Sequence, residues 1–137
     1  MNAIMVLTEE HQKLRPFLYR LEQAVQESGE SNLHDALGAS RQALGKDLDH
    51  HILLEDAKVF PNIAQYLGQD MIQAFVDDHR QIQNVRDRLY SSPKNQQRSL
   101  TETLVDLLQD HLAREENMLF PSAEQAMAPE ELELDGD

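Results

Sequence analysis

Two stretches sixty positions apart repeat one unusual pattern. HHILLEDAKVFP (residues 50–61) and HLAREENMLFP (residues 111–121) each place a histidine, a glutamate four residues on, a second acid beside it, and then Phe-Pro. His51 aligns with His111, Glu55 with Glu115, Asp56 with Glu116, and Phe60-Pro61 with Phe120-Pro121. On a helix a step of four returns to within about 40° of the same face, one turn along. Each HxxxE pair therefore aims an imidazole and a carboxylate into one layer, and a fold that accepts both pairs must give that layer a purpose.

Apolar residues recur at helical spacing through most of the chain and predict four helices. The first carries Leu7, Leu14, Leu18, Leu21 and Val25, with His11 filling the missing inward step; Thr8 is its expected N-cap and Gly29 its stop. The second starts near Ser31 or Asn32, reads Leu33, Leu37, Leu44, Leu48, His51, Glu55, and is expected to end at Phe60, ahead of Pro61. Residues 62–69 then form a linker with a helical turn at Ile63–Tyr66. The third opens on Asp70 and Gln73, spaced as a capping box, and carries Ile72, Phe75, His79, Ile82 and Leu89 before Ser91-Ser92-Pro93. The fourth opens on Ser99 and Glu102 and carries Leu104, Leu107, His111, Glu115 and Met118, with a further turn through Ala126 after Pro121. No stretch alternates with period two. Four helices of about 18–28 residues with short connections predict an all-α, antiparallel up-down-up-down four-helix bundle. Residues 1–128 would form it, and 129–137, PEELELDGD, would be an acidic, disordered tail.

Each helix thus contributes one inward histidine: His11, His51, His79 and His111. The first and third also echo each other, EEHQKL (9–14) against DDHRQI (77–82), so the chain reads as two helix pairs, each supplying two histidines and one glutamate. An uncompensated buried carboxylate costs several kcal/mol and an unpaired imidazole about 1–3 kcal/mol. Set against a net stability of about 5–15 kcal/mol, the layer needs compensation. Metal supplies it for all six groups at once; a metal-free, salt-bridged helical interaction module is the alternative. The chain has no Cys, so thiolate sites and iron–sulfur clusters are excluded. Four imidazoles and two carboxylates exceed one tetrahedral zinc and hold too much nitrogen for Ca²⁺ or Mg²⁺. They suit two first-row transition ions bridged by Glu55 and Glu115, with a position left open for a small molecule.

The pattern His11, His51-x-x-x-Glu55, His79, His111-x-x-x-Glu115 resembles the hemerythrin-like, His-His-Glu cation-binding family over about residues 7–121. That resemblance implies a four-helix bundle around two Fe ions with carboxylate and oxo or hydroxo bridges, Mn or Zn being possible substitutes. It also implies a protein that binds O₂, nitric oxide or peroxide in sensing, storage or stress response. A di-iron oxidase or peroxidase is the enzymatic alternative. Oxygen-carrying members add a fifth histidine one turn from the third-helix one, where this chain has Phe75 and Gln83. His50 and His34 are expected to face away from the site. Glu116 lies about 140° off the His111 face of a regular helix, so Glu115 is the expected donor. Asp49, Asp78 and Asp110 are candidate partners of the imidazole N–H groups. Phe60 and Phe120 are expected to plug one end.

The net charge of −13, with 25 acids against 12 bases, argues against nucleic acid and anionic membrane surfaces as partners. No apolar run approaches the about 18 residues of a membrane span, and MNAIMVLTEEH lacks the basic start of a signal peptide, so a cytoplasmic location is expected. A sensing role would need a separate protein partner.

Overall fold

The computed structural model describes residues 1–27 and 29–134. It is built of four long helices; among the described residues the only β-type pairing is an isolated antiparallel bridge between Asn2 and Glu133. The first helix is Ala3–Gln26. The second covers 30–67, as α segments Glu30–Gln42, Leu48–Leu54 and Phe60–Leu67 separated by wide π-turns at Ala43–Asp47 and Glu55–Val59. The third is Gln69–Ser91. The fourth covers 94–126, as Lys94–Arg114, a π-turn at Glu115–Leu119, and Phe120–Ala126. The first helix packs against the second and fourth, and the third against the fourth.

Three helix ends differ from expectation, each for a local reason. The first helix starts before Thr8, because Asn2 Oδ1 accepts the backbone N–H groups of Ile4 (2.8 Å) and Met5 (3.2 Å). The fourth starts at Lys94 behind Pro93, five residues ahead of the expected Ser99; its first turns are polar and leave no apolar stripe to read. Pro61 does not stop the second helix, and the fourth runs on past Pro121 to Ala126 as expected. Each proline sits in the first turn of an α segment that follows a π-turn, where Phe60 N–H bonds Glu55 C=O and Phe120 N–H bonds Glu115 C=O. The widened turn absorbs the missing N–H and the ring that would break a regular helix. Gly68, the only described residue with positive φ (99°), makes the turn into the third helix, where a side chain would be strained.

The apolar core forms two clusters. One gathers Leu18, Leu21, Leu44, Leu89, Leu104 and Leu108, and the other Leu7, Phe60, Ile63, Phe75, Leu119 and Phe120. The His–Glu layer lies between them, as the order Leu7, His11, Leu14 along the first helix shows. No helix among the described residues is long and apolar enough to cross a membrane.

The expected disorder after residue 128 does not describe 129–134. Pro129–Leu132 form a 3-10 turn, Leu132 is buried in the second cluster, and Leu134 N–H bonds Met1 C=O at 2.8 Å. The acids dominate the composition of this stretch, but two interleaved leucines anchor it and the backbone ahead of the first helix offers hydrogen-bonding groups. Residues 135–137 lie outside the described residues. Leu132→Ala should therefore cost about 2 kcal/mol in a denaturant titration, while Leu53→Ala, at an exposed position, should stay within about 0.5 kcal/mol. Equal effects would mean that the tail is not packed.

Candidate metal centre

The structure brings all six expected side chains into one layer. His11, His51, His79, His111, Glu55 and Glu115 are buried, both glutamates completely. Their donor atoms form two overlapping groups, His11–His51–Glu55–Glu115 and Glu55–His79–His111–Glu115, in each of which the donor atoms lie within 4.8 Å of one another. Both glutamates belong to both groups. Across the layer His11 Nε2 lies 3.1 Å from Glu115, His79 Nε2 3.0 Å from Glu55, His51 Nε2 3.3 Å from Glu55 and His111 Nε2 3.5 Å from Glu115.

None of these contacts has hydrogen-bond geometry. All four Nε2 atoms and all four carboxylate oxygens are buried without a hydrogen-bonding partner. Eight orphaned polar atoms at about 1–3 kcal/mol each would match or exceed the whole stability of an ordinary domain. The donors converge without satisfying one another, and a cation held among them would satisfy all eight. Borderline nitrogen and hard oxygen donors without sulfur fit first-row transition ions, and two groups of four fit two ions better than one.

The outer side of each ring is as ordered as the inner side. His11 Nδ1 bonds Glu116 (2.6 Å), His51 Nδ1 bonds Glu10 (2.7 Å), His79 Nδ1 bonds Asp56 (2.8 Å) and His111 Nδ1 bonds Asp78 (3.2 Å). A carboxylate on Nδ1 keeps the proton there and turns the Nε2 lone pair inward, the tautomer a metal needs. Three of the four carboxylates are in turn held by arginine: Glu116 by Arg15, Asp56 by Arg80 and Asp78 by Arg114. The pattern has internal two-fold logic. Acids preceding His11 and His79 serve His51 and His111, and acids following Glu55 and Glu115 serve His79 and His11. Phe60 stacks on His79 (5.5 Å, 9°) and Phe120 on His11 (5.7 Å, 24°), closing the layer toward the second cluster.

Of the three aspartates proposed from sequence, only Asp78 reaches an imidazole. Asp49 bonds Arg86 and Gln83, and Asp110 pairs with Arg114. Glu10, Asp56 and Glu116 were not anticipated as imidazole partners, although doubled acids beside each ligand position were the available signal. Glu116 stays on the outer side of His11. Gln83 faces Asp49 and Arg80 outside the layer, and Phe75 sets its ring against His111 (5.8 Å), so each donor group has two histidines. His50, His34, Tyr19 and Tyr66 are exposed, and Tyr90 bonds Leu37 C=O between the second and third helices.

A model of the hemerythrin HHE cation-binding domain matches residues 2–129. The chain belongs to that family. No curated protein and no solved structure matches it. The family's cation-binding character accords with the convergent histidine and glutamate donors of this hemerythrin domain.

Without metal, His51 and His111 hold their protons more tightly than a free imidazole. Burial works to lower the His51 pKa, but the charge of Glu55 and the hydrogen bond to Glu10 overcome it and push it up to about 10. His111 is also raised, burial being outweighed by Glu115. Burial works to raise Glu55, yet the neighbouring Glu115, His51 and His79 hold it well below the usual carboxylate range. The sign follows directly. Stability from protonated His51 is complete below its unfolded value near 6.5 and is lost as pH rises through about 10. Glu55 keeps its contribution throughout that window, because its pKa is depressed. The metal-free chain should thus lose thermal stability between about pH 6.5 and 10 while its metal affinity rises, since the ion displaces protons. Melting curves and proton release on metal addition, measured in buffers of different ionisation heat, check both. Asp56→Asn should leave the fold intact and weaken metal binding about 10–100-fold by loosening the His79 tautomer.

Proposed function

We propose that this hemerythrin-domain chain is a non-haem di-iron protein that binds O₂, nitric oxide or peroxide, in sensing, storage or stress response. The observation that carries this is the pair of four-donor groups sharing Glu55 and Glu115, with eight inward atoms that no protein group satisfies. His11 and His51 would hold one ion and His79 and His111 the other, with Glu55 and Glu115 spanning both. When bound, iron supplies redox activity and a coordination position open to a small molecule. The chain's own residues hold the four imidazoles in the ligating tautomer, exclude water through Phe60 and Phe120, and balance three outer carboxylates with arginines.

An antiparallel up-down-up-down bundle over residues 1–128 is the arrangement that fits the cross-links. Arg98, early in the fourth helix, donates to Val25 C=O at the end of the first, while Glu116 late in the fourth meets His11. Tyr90 bonds Leu37 C=O, Arg86 bonds Leu44 C=O and His79 bonds Asp56, a descending series against an ascending one. A cytoplasmic setting accords with the redox chemistry proposed.

Elemental analysis of the purified chain should give about two irons per chain, and His51→Ala should lower that number. The iron-loaded spectrum should change on adding nitric oxide or peroxide. One metal per chain, or a spectrum indifferent to O₂, nitric oxide and peroxide alike, would overturn this function; peroxide turnover well above that of free iron would move it to an enzyme.

A further inference from the structure

The two halves of the layer are built alike, but their surroundings are not. A cavity of about 310 Å³ lies between the first helix and the π-turn at Ala43–Asp47, reaching His11 and His51. Its apolar walls include Leu14, Phe17, Ala43 and Leu48, and Lys13, Asp47 and His50 are polar groups along it. That size and lining, mostly apolar with a few polar groups, suits a small organic molecule better than a diatomic gas.

The wall is a construction of its own half. By the sixty-residue repeat, Ala43–Asp47 corresponds to residues 103–107, which are regular α-helix inside Lys94–Arg114. Arg86, buried on the third helix, donates to Leu44 C=O (3.1 Å) inside the π-turn and also pairs with Asp49. A buried arginine thus fixes the widened turn that makes one side of the cavity, and π-turns concentrate at functional sites. Charge narrows the occupant. Glu10 is paired with His51 (2.7 Å), and the remaining acid along the wall, Asp47, is matched in number and opposed in sign by Lys13, so no net charge addresses the space.

We propose that this cavity is a binding compartment for a small neutral organic molecule large enough to carry an aromatic ring, held against His11 and His51. Its relevance to chemistry rests on the di-iron function proposed above, because it places the molecule beside one metal position only. Arg86 acts as a positioning residue for the compartment and touches neither metal nor ligand.

The test is a titration of the purified full chain with 4-fluorophenol followed by fluorine NMR, with 4-fluorobenzoate as the charged comparison. Saturable binding of one 4-fluorophenol per chain, at least tenfold tighter than 4-fluorobenzoate, is expected. Ala43→Phe, which fills the space, should weaken it at least tenfold with metal content unchanged. Should that variant not fold, methyl shifts of Leu14 and Leu48 in the diamagnetic wild-type chain, zinc-exchanged or metal-free, decide instead: they should move with the titration. No saturable binding, affinity untouched in folded Ala43→Phe, or shifts confined to another surface would overturn the compartment. The metal content separates the two ideas. Two irons without phenol binding leaves the di-iron function standing and removes the compartment; phenol binding at Leu14 and Leu48 in a chain that takes no metal does the reverse.

Discussion

Eight nitrogen and oxygen atoms point into the middle of this protein and find no protein partner, and the architecture around them is arranged to keep it so. Burial removes water, the four imidazoles are held too far off line to donate to the two carboxylates, and apolar clusters seal the layer on both sides. In a core of leucine and phenylalanine such a layer is destabilising unless a cation or several protons occupy it. The layer therefore carries two energetics, a metal-free one in which protonated His51 and His111 lose their contribution as pH rises and a metal-filled one that strengthens.

Orientation of the donors depends on a second ring of charge. Each imidazole is gripped at Nδ1 by a carboxylate from another helix, and three of those carboxylates are gripped by arginines. The contacts tie first helix to fourth, second to first, third to second and fourth to third. The outer ring thus holds the helices around the site at the same time as it sets the ring tautomers. Glu10 is the one carboxylate of the four with no arginine among the described contacts, and it lies beside the cavity on the His11–His51 side. The local sequence explains this difference between halves: three residues after His111 stands Arg114, and three after His51 stands Leu54.

Much of this was legible from residue spacing. Helical periodicity, one inward histidine per helix and the HxxxE pairs led to the all-helical fold and to the six side chains that the structure gathers into one layer. What escaped was set by geometry that spacing does not encode. The helix start at Asn2 depends on one side-chain oxygen, and the start at Lys94 on a polar turn without periodicity. The tail was judged by its acids, although Leu132 decides its packing. Asp56, Glu10 and Glu116 were overlooked because each serves a histidine on another helix, a relation no intrahelical offset reveals. Pro61 read as a stop because a regular helix was assumed, and the helix is not regular there.

The π-turns at Glu55–Val59 and Glu115–Leu119 have a consequence for how the chain tolerates change in length. Each adds about one residue to a turn, so the face presented after it is rotated relative to the face before it. His51 and Phe60, nine positions apart, address neighbouring parts of the same interior only because that extra residue is present. Deleting one residue between Asp56 and Val59 would restore an even helical pitch and raise local regularity, yet would swing Phe60 off His79 and turn everything to Leu67 by about 100°. The irregular turn is thus a phase correction between two segments of one helix: the inward donors are set by one register and the plug that shields them by another.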